Sequence, residues 1–236
     1  MKMSIVVPAH NEQDNIIDVL DKIERFLDGL GLDCEMVVVN DHSTDNTARL
    51  VSEMSKQHDN IRLIENKLRP GFANALKSGF NSAQGEVVVP VMGDLCDDLS
   101  AIKAMFKKIN EGYDVVCGSR YMERGARLGG SKIKGFFSRF VGVSLHYLLG
   151  LPTRDISNAF KMYRKSVLEG MAIESTSFEI SMEIPVKAYY SGFKIAEVPT
   201  VWKERTRGKS NFRMYKLLPA YLNLYVWAIF KKISRG

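Results

Sequence analysis

Asp94, Asp97 and Asp98 follow an apolar run of Val87, Val88, Val89, Val91 and Met92, with Gly93 at the junction. Such a run reads as a strand buried on both faces. Carboxylates just past the C-terminal end of a buried parallel strand stand where open α/β sheets bind ligands. Their hard oxygen atoms suit Mg²⁺ or Mn²⁺, ions that bridge a protein carboxylate to a substrate's phosphates. Asp98 or Ser100 could equally cap a helix starting near Leu99, and the stretch by itself leaves both readings open.

Two more polar clusters follow strand-like runs. Residues 3–7 lead into Pro8-Ala9-His10-Asn11-Glu12, and residues 36–39 lead into Asn40-Asp41-His42-Ser43-Thr44-Asp45-Asn46-Thr47. Here too a structural role is available: Ser43 or Asp45 as a helix cap, Glu12 as a first-turn partner of the helix dipole. Between the clusters, Ile16, Leu20, Ile23, Leu27 and Leu30 recur at helical spacing up to Gly29–Gly31. A strand over 61–64, a loop with Arg69, Pro70 and Gly71, a helix over 72–83, a helix over 101–109 and a strand over 114–117 ending in Gly118-Ser119-Arg120-Tyr121 continue the alternation. Strand and helix in regular succession predict a mostly parallel sheet covered on both faces. All three polar clusters then fall on one rim, which is the strongest sign of a site. No G-x-G-x-x-G follows the first strand and no G-x-x-x-x-G-K-S/T occurs, which argues against a dinucleotide fold and a P-loop and leaves a metal to hold phosphates.

The chain has 236 residues, enough for one large α/β domain or a domain with an appended region. Three scattered cysteines, Cys34, Cys96 and Cys117, fit a reducing compartment better than a disulfide framework. The apolar run at the N-terminus is too short for a signal peptide and is interrupted by Pro8. The net charge of +6 is unevenly spread: residues 1–118 carry 12 Lys and Arg against 19 Asp and Glu, a net of −7, and residues 119–236 carry 21 against 8, a net of +13. A basic half implies an anionic partner: a nucleic acid, a phosphorylated substrate or a membrane surface. No nucleic-acid module is visible.

Residues 135–149 and 217–230 are apolar with scattered polar groups and too short to span a bilayer. Both could be core helices. Tyr221, Tyr225, Trp227 and the flanking Arg213, Lys216, Lys231, Lys232 and Arg235 favour helices lying in a membrane interface.

Taken in order, P-A-H-N-E, N-D-H-S-T-D-N-T, M-G-D-L-C-D-D, G-S-R-Y and R-T-R-G-K-S resemble the inverting A-type (GT-A) glycosyltransferases, over residues 4–211. Within them E-V-P-T-V-W-K-E-R-T-R-G-K-S, residues 197–210, is similar to the dolichyl- and polyprenyl-phosphate sugar synthases. The resemblance implies a single Rossmann-like GT-A domain over residues 1–211, with a nucleotide-sugar half (1–119) and an acceptor half (120–211), followed by an amphipathic membrane-associated helix over 212–236. It implies that Pro8, Ala9, His10 and Glu12 line the pocket for base and ribose and that Asp41 accepts from the base. Gly93 and Asp94 would meet the diphosphate, Asp94 with Asp97 or Asp98 would hold Mg²⁺ or Mn²⁺, and Arg120 and Arg205 would contact phosphate oxygens. Asp155 matches a polar position near the acceptor, although Arg154 and Asp155 could instead form a structural ion pair. Relatives usually carry paired aspartates where this chain has Asn40–Asp41, and D-x-D where it has Gly93–Asp94 followed by Asp97–Asp98.

The implied reaction moves a sugar, mannose or a glucose-like hexose with GDP-mannose the favoured donor, to a polyprenyl or dolichyl phosphate with inversion, on the cytoplasmic face of a membrane. A phosphate acceptor is already ionised near neutral pH and needs positioning rather than a base. A saccharide or other hydroxyl acceptor would need one, and Asp155 or Asp98 would supply it. The missing D-x-D also admits a non-catalytic nucleotide-sugar-binding membrane protein.

Overall fold

The computed structural model describes residues 1–93, 96–204 and 214–234, apart from the side chains of Met214 and Lys216. The first half alternates as the sequence predicts: β1 (Met3–Ala9), α1 (Ile16–Asp28), β2 (Cys34–Asn40), α2 (Thr47–Met54), β3 (Ile61–Glu65), α3 (Phe72–Ser82), β4 (Val87–Pro90), α4 (Ala101–Asn110) and β5 (Val115–Ser119). The second half adds β6 (Ala126–Leu128), α5 (Lys132–Leu149), β7 (Lys161–Arg164), α6 (Lys165–Glu169), α7 (Ile180–Tyr190), β8 (Ile195–Pro199), β9 (Val201–Lys203) and α8 (Met214–Ile233).

Seven strands form one sheet in the order β3-β2-β1-β4-β7-β5-β8. β1, β2, β3 and β4 run parallel, as do β5 and β8, while β7 is antiparallel to both β4 and β5. The sheet is therefore mostly parallel with one reversed strand, which the alternation of the first half gave no means of expecting. β6 and β9 form a separate parallel pair beside the rim.

Burial on both faces explains the unbroken apolar character of Val37–Val39 and Val87–Val89, all inaccessible to solvent. On one face α1 and α4 pack Ile16, Leu20, Ile23, Ile102, Met105 and Ile109 against the sheet. On the other, α3 and α7 contribute Leu76, Phe80, Ile180 and Ile184. Each such side chain contributes about 1.5–3 kcal/mol by leaving water. A third cluster joins α5, α7 and α8 through Leu145, Met182, Val186 and Ala228. Gly142 lets α5 lie directly on the loop before β7: a Cβ there would collide with the Arg154 carbonyl oxygen.

α5 and α8 lie side by side and are apolar on their outer faces. Ile133, Phe136, Phe140 and Tyr147 are exposed along α5, and Tyr215, Leu218, Leu222, Val226, Phe230 and Ile233 along α8, at three- and four-residue spacing. Inward, α8 is bolted down by polar contacts: the Tyr221 hydroxyl donates to the Phe178 carbonyl at 2.9 Å, Tyr190 donates to the Ala228 carbonyl at 2.6 Å, and Lys232 Nζ to the Leu148 carbonyl at 2.6 Å. No helix among the described residues is long and apolar enough to cross a membrane.

Candidate active site

A cavity of about 750 Å³ lies along the C-terminal rim of the sheet, from Asp41 and Gly71 at one end to Arg120, Ser138 and Lys134 at the other. Asp41 follows β2 and Arg120 follows β5, four strands apart in the sheet, which is roughly 19 Å at the usual strand spacing.

At the first end the loops after β1 and β2 are stitched together. The Asn11 and Glu12 N–H groups donate to Ser43 Oγ and Thr47 Oγ1, the Thr44 N–H donates to Asn11 Oδ1, and Gln13 N–H to Asp45 Oδ2. Asp45 also accepts from the Thr47 N–H at 2.9 Å and so turns the chain into α2, although the N-cap position itself is Asn46, whose side chain makes no cap bond; neither Ser43 nor Asp45 occupies it. Burial works against its charge, but the Thr47 hydroxyl, the Thr47 N–H and the Gln13 N–H outweigh it and hold the carboxyl below its ordinary value. His10 Nδ1 stands 2.6 Å from the Asp41 carbonyl oxygen; since a carbonyl only accepts, Nδ1 carries the proton. Glu12 takes a hydrogen bond from the Asn15 side chain at the start of α1 and lines the cavity with Pro8, Ala9 and His10.

The Asp41 carboxylate is 6% exposed. Its Oδ1 accepts from Asn66 Nδ2 at 2.7 Å and its Oδ2 from the Gly71 N–H at 2.9 Å. Gly71 has φ of +145°, a conformation that side chains rarely adopt. The next residue, Phe72, stacks on Phe178 with ring centroids 4.6 Å apart, joining the loop after β3 to the segment before α7.

In the middle of the rim, Asp97 lines the cavity and Asp98 does not. Asp98 Oδ1 accepts the Ser100 N–H at 3.0 Å and so turns the chain into α4. The Lys203 N–H donates to the Cys96 carbonyl at 2.8 Å, and Asp97 forms a bridge with Trp202, so β9 is tied to the carboxylate loop. Gly93 packs near the Pro8 carbonyl and Glu12. Asp94 and Arg205 lie outside the described residues. Among the described residues no three His, Cys, Asp or Glu side chains come together as a self-sufficient metal cage.

At the far end Arg120 and Asp155 form a buried fork. Arg120 Nε donates to Asp155 Oδ2 at 2.7 Å, Nη2 to Oδ1 at 2.8 Å, and the Arg120 N–H to Oδ2 at 2.9 Å. Burial opposes the guanidinium's charge, yet the adjoining Asp155 more than compensates and keeps Arg120 firmly protonated. Arg154 pairs elsewhere, with Glu197 at 2.8 Å; the alternative of an Arg154–Asp155 pair is not realised, because Asp155 pairs with Arg120. Arg120 Nη2 also donates to Ser138 Oγ at 3.0 Å, and Ser138 meets Ser157 at 2.6 Å. Beneath them Lys161 is fully buried, its ammonium donating to the Ile156 and Asn158 carbonyls and so holding the segment that supplies Ser157 and Asn158 to the wall. Burial lowers its pKa. Arg127 lies over the Trp202 ring at 4.9 Å and, with Lys134, adds positive charge to this end. Glu204, a carboxylate on the wall, accepts the Gly130 N–H at 2.9 Å.

The structure thus brings Pro8, Ala9, His10, Glu12, Asp41, Asp97 and Arg120 to one cavity, with Asp155 behind Arg120 and Asp98 turned into a helix start. Sequence reasoning missed Asn66, Ser138, Lys161 and Glu204. Asn66 directly follows β3, and the rule that rim residues face the ligand would have singled it out. Ser138 and Lys161 carry no comparable signal.

A mostly parallel sheet with polar loops gathered on its C-terminal rim, one reversed strand and a small separate strand pair beside that rim is the GT-A architecture. Among solved structures the chain resembles glucosyl-3-phosphoglycerate synthase from Mycobacterium tuberculosis in complex with Mn²⁺, UDP-glucose and phosphoglyceric acid, with a TM-score of 0.68 and 19% identity over 98% of this chain and 79% of that one. Residues 4–171 match the model of glycosyl transferase family 2, and the chain belongs to that family. It is 32% identical over 221 residues to a dolichol-phosphate mannosyltransferase of Pyrococcus furiosus, covering 90% of this chain and 60% of the relative. It is 28% identical over 225 residues to an undecaprenyl-phosphate 4-deoxy-4-formamido-L-arabinose transferase of Edwardsiella ictaluri, covering 92% and 64%. The chain therefore spans somewhat under two thirds of the length of these relatives.

Proposed function

We propose that this chain transfers a hexose, with inversion, from a nucleoside diphosphate sugar to a polyprenyl-type lipid phosphate at a membrane surface. The observation that carries the reading is the course of the cavity. It begins at an acceptor-only carboxylate, Asp41, passes Asp97, and ends at Arg120, Ser138 and Lys134 beneath Phe137, Val141, Leu217 and Leu218 of α5 and α8. A base edge, a diphosphate, an acceptor phosphate and an apolar lipid chain fit that order. The nucleotide-sugar half is residues 1–119 and the acceptor half 120–211.

At the acceptor end a phosphate is met by donors already aimed. Arg120 keeps Nη1 without a partner among the described residues while Asp155 fixes its plane, so a phosphate oxygen is bound without reorganising the guanidinium. Asp155 has every oxygen occupied and no exposure, which disfavours it as a base and favours an acceptor that arrives ionised. The donor set around Asp97 fits a divalent ion that takes most of its ligands from phosphate and water. Asp97 and, by resemblance, Asp94 would hold Mg²⁺ or Mn²⁺, which when bound supplies counter-charge to a departing diphosphate. Arg205 is assigned to the phosphates by resemblance alone. The exposed apolar faces of α5 and α8, flanked by lysines, suit an interfacial seat, and the cytoplasmic leaflet is the reading consistent with reduced cysteines. GDP-mannose is the favoured donor because the Pyrococcus furiosus relative bears a mannosyltransferase name.

Glu204 on the wall favours a second reading, transfer to a hydroxyl with Glu204 as base. Incubation with GDP-mannose, UDP-glucose and UDP-GlcNAc, Mn²⁺ and vesicles holding a polyprenyl phosphate tests the first. A lipid-linked monophosphate sugar supports it, and transfer only to soluble hydroxyl acceptors overturns it.

A further inference from the structure

Asn66 is buried, 4% exposed, in the loop that leaves β3. An asparagine side chain offers two donors and two acceptor positions, and here all are used. Oδ1 accepts the Leu68 N–H at 3.0 Å and the Ser78 hydroxyl at 2.9 Å, while Nδ2 donates to Asp41 Oδ1 at 2.7 Å and reaches the Arg69 carbonyl at 3.4 Å. The amide has one workable orientation. Turned over, it would set its oxygen against the Asp41 carboxylate and its NH₂ against the Leu68 N–H. The same loop closes on Asp41 from the other side through the Gly71 N–H at 2.9 Å. Asp41 is thus clamped at both oxygens, lines the cavity, and keeps further acceptor capacity for a ligand there.

We propose that Asn66 is the positioning residue for donor-base recognition. Resting on the donor reading above, it holds the Asp41 carboxylate so that it accepts an N–H from the base. The bases that fit are those with a lactam N–H, uracil and guanine. Adenine and cytosine carry a bare ring nitrogen at the corresponding edge, which a carboxylate oxygen repels, so they fit Asp41 less well. Asn66 touches neither sugar nor phosphate and acts only through Asp41.

The informative variant is Asn66→Asp, which is isosteric. It keeps the acceptor for Leu68 and Ser78 but faces Asp41 with a carboxylate instead of a donor. Binding of UDP, GDP and the base-free probe ribose 5-diphosphate is measured by titration calorimetry in Mn²⁺, for the unaltered protein and the variant. The expected result is a loss of about ten- to a hundredfold for the preferred nucleotide, the usual effect of losing a hydrogen bond to a charged group, with ribose 5-diphosphate moved less than about twofold. A role confined to loop folding would weaken all three together, and that outcome overturns the proposal, as does no change in any. Should Asn66→Asp fail to fold, Ser78→Ala, which only frees the amide to turn, gives the same ratio on a smaller scale, and an unmoved ratio there counts equally against it. If the unaltered protein binds neither nucleotide, the donor reading itself fails and this proposal with it. If it binds one and the ratio stays unmoved in the variant, the positioning role alone is removed.

Discussion

Arg120 and Asp155 meet as a two-pronged pair inside the protein, Nε to Oδ2 at 2.7 Å and Nη2 to Oδ1 at 2.8 Å, with Asp155 wholly inaccessible to solvent. A carboxylate so placed orients the guanidinium and has no free edge from which to take a substrate proton. Asp155→Asn is expected to slow transfer, because an amide cannot accept at both prongs, and to leave any basic limb of the pH–rate profile in place. Asp155→Ala strands a buried charge and is expected to cost about 3–5 kcal/mol of stability. Loss of the limb in Asp155→Asn would identify Asp155 as a base and sink the phosphate-acceptor mechanism.

Of Asp97 and Asp98, Asp97 lines the cavity, while Asp98 accepts the Ser100 N–H. Chelation with EDTA is expected to abolish transfer and Mn²⁺ to restore it. Asp97→Asn is expected to raise the Mn²⁺ concentration needed for half-maximal rate by about ten- to a hundredfold, and Asp98→Asn to change it little while lowering thermal stability by about 1 kcal/mol, as for a lost helix-start contact. Equal metal dependence in the two variants would argue against this division of labour.

Much of this site is legible in the amino-acid sequence, for a definite reason. β1, β2, β4 and β5 are parallel, their apolar runs end abruptly, and the residues just past each end must lie on one rim; Asp41, Asp97 and Arg120 can be placed by that logic alone. It fails where the chain stops alternating. β7 enters the sheet reversed between β4 and β5, and its four residues, Lys-Met-Tyr-Arg, carry a charge at each end, so no hydrophobic period marks them. For Asp155 the sequence leaves open both a polar position near the acceptor and a pair with its neighbour Arg154, since sequence shows adjacency and not direction. Their side chains diverge, one to Glu197 and the other inward to Arg120. Lys161 is invisible for the same cause: a buried lysine is identified by the carbonyls around it, and these come from folding the chain back on itself.

At the opposite rim, Glu35 ties the starts of β1, β2 and β4 together. The Ser4 hydroxyl and the Gln84 N–H both donate to its Oε1 at 2.5 Å, and Arg62 donates to Oε2 at 2.8 and 3.0 Å. Burial would raise its pKa, but the Ser4, Gln84 and Arg62 donors outweigh that and hold it below the ordinary 4.5. A carboxyl whose folded pKa is depressed stabilises the fold above its unfolded pKa, and the contribution is lost as pH falls through the folded value. Glu35→Gln is therefore expected to lower stability at pH 7 by about 2–3 kcal/mol and to flatten the fall in melting temperature below pH 4.5. Nucleotide affinity should be unaffected, since the cluster lies at the far end of the strands from the cavity. An unchanged acid slope in thermal melts across pH 3–7 would show that other carboxylates carry it.

The outer faces of α5 and α8 allow the membrane reading to be tested without dismantling the fold. Removing α8 outright would confound the result, because Tyr221, Tyr225 and Ala228 cover the cluster shared with α5 and α7 and Tyr221 holds the Phe178 carbonyl beside the cavity. Phe136, Phe140, Leu222 and Phe230, by contrast, are all more than half exposed, so charges there leave the packing untouched. Each such side chain inserted into an interface is worth up to about 1.5–3 kcal/mol. Leu222→Glu with Phe230→Glu, or Phe136→Glu with Phe140→Glu, is expected to reduce co-sedimentation with vesicles containing anionic lipid by about a hundredfold or more, with melting temperature and affinity for free nucleoside diphosphate unchanged. Raising salt should weaken binding of the unaltered protein only in part, since the lysines near the helix ends are screened and the apolar contact is not. Equal sedimentation of the unaltered protein and both double variants would show that these faces do not meet the membrane.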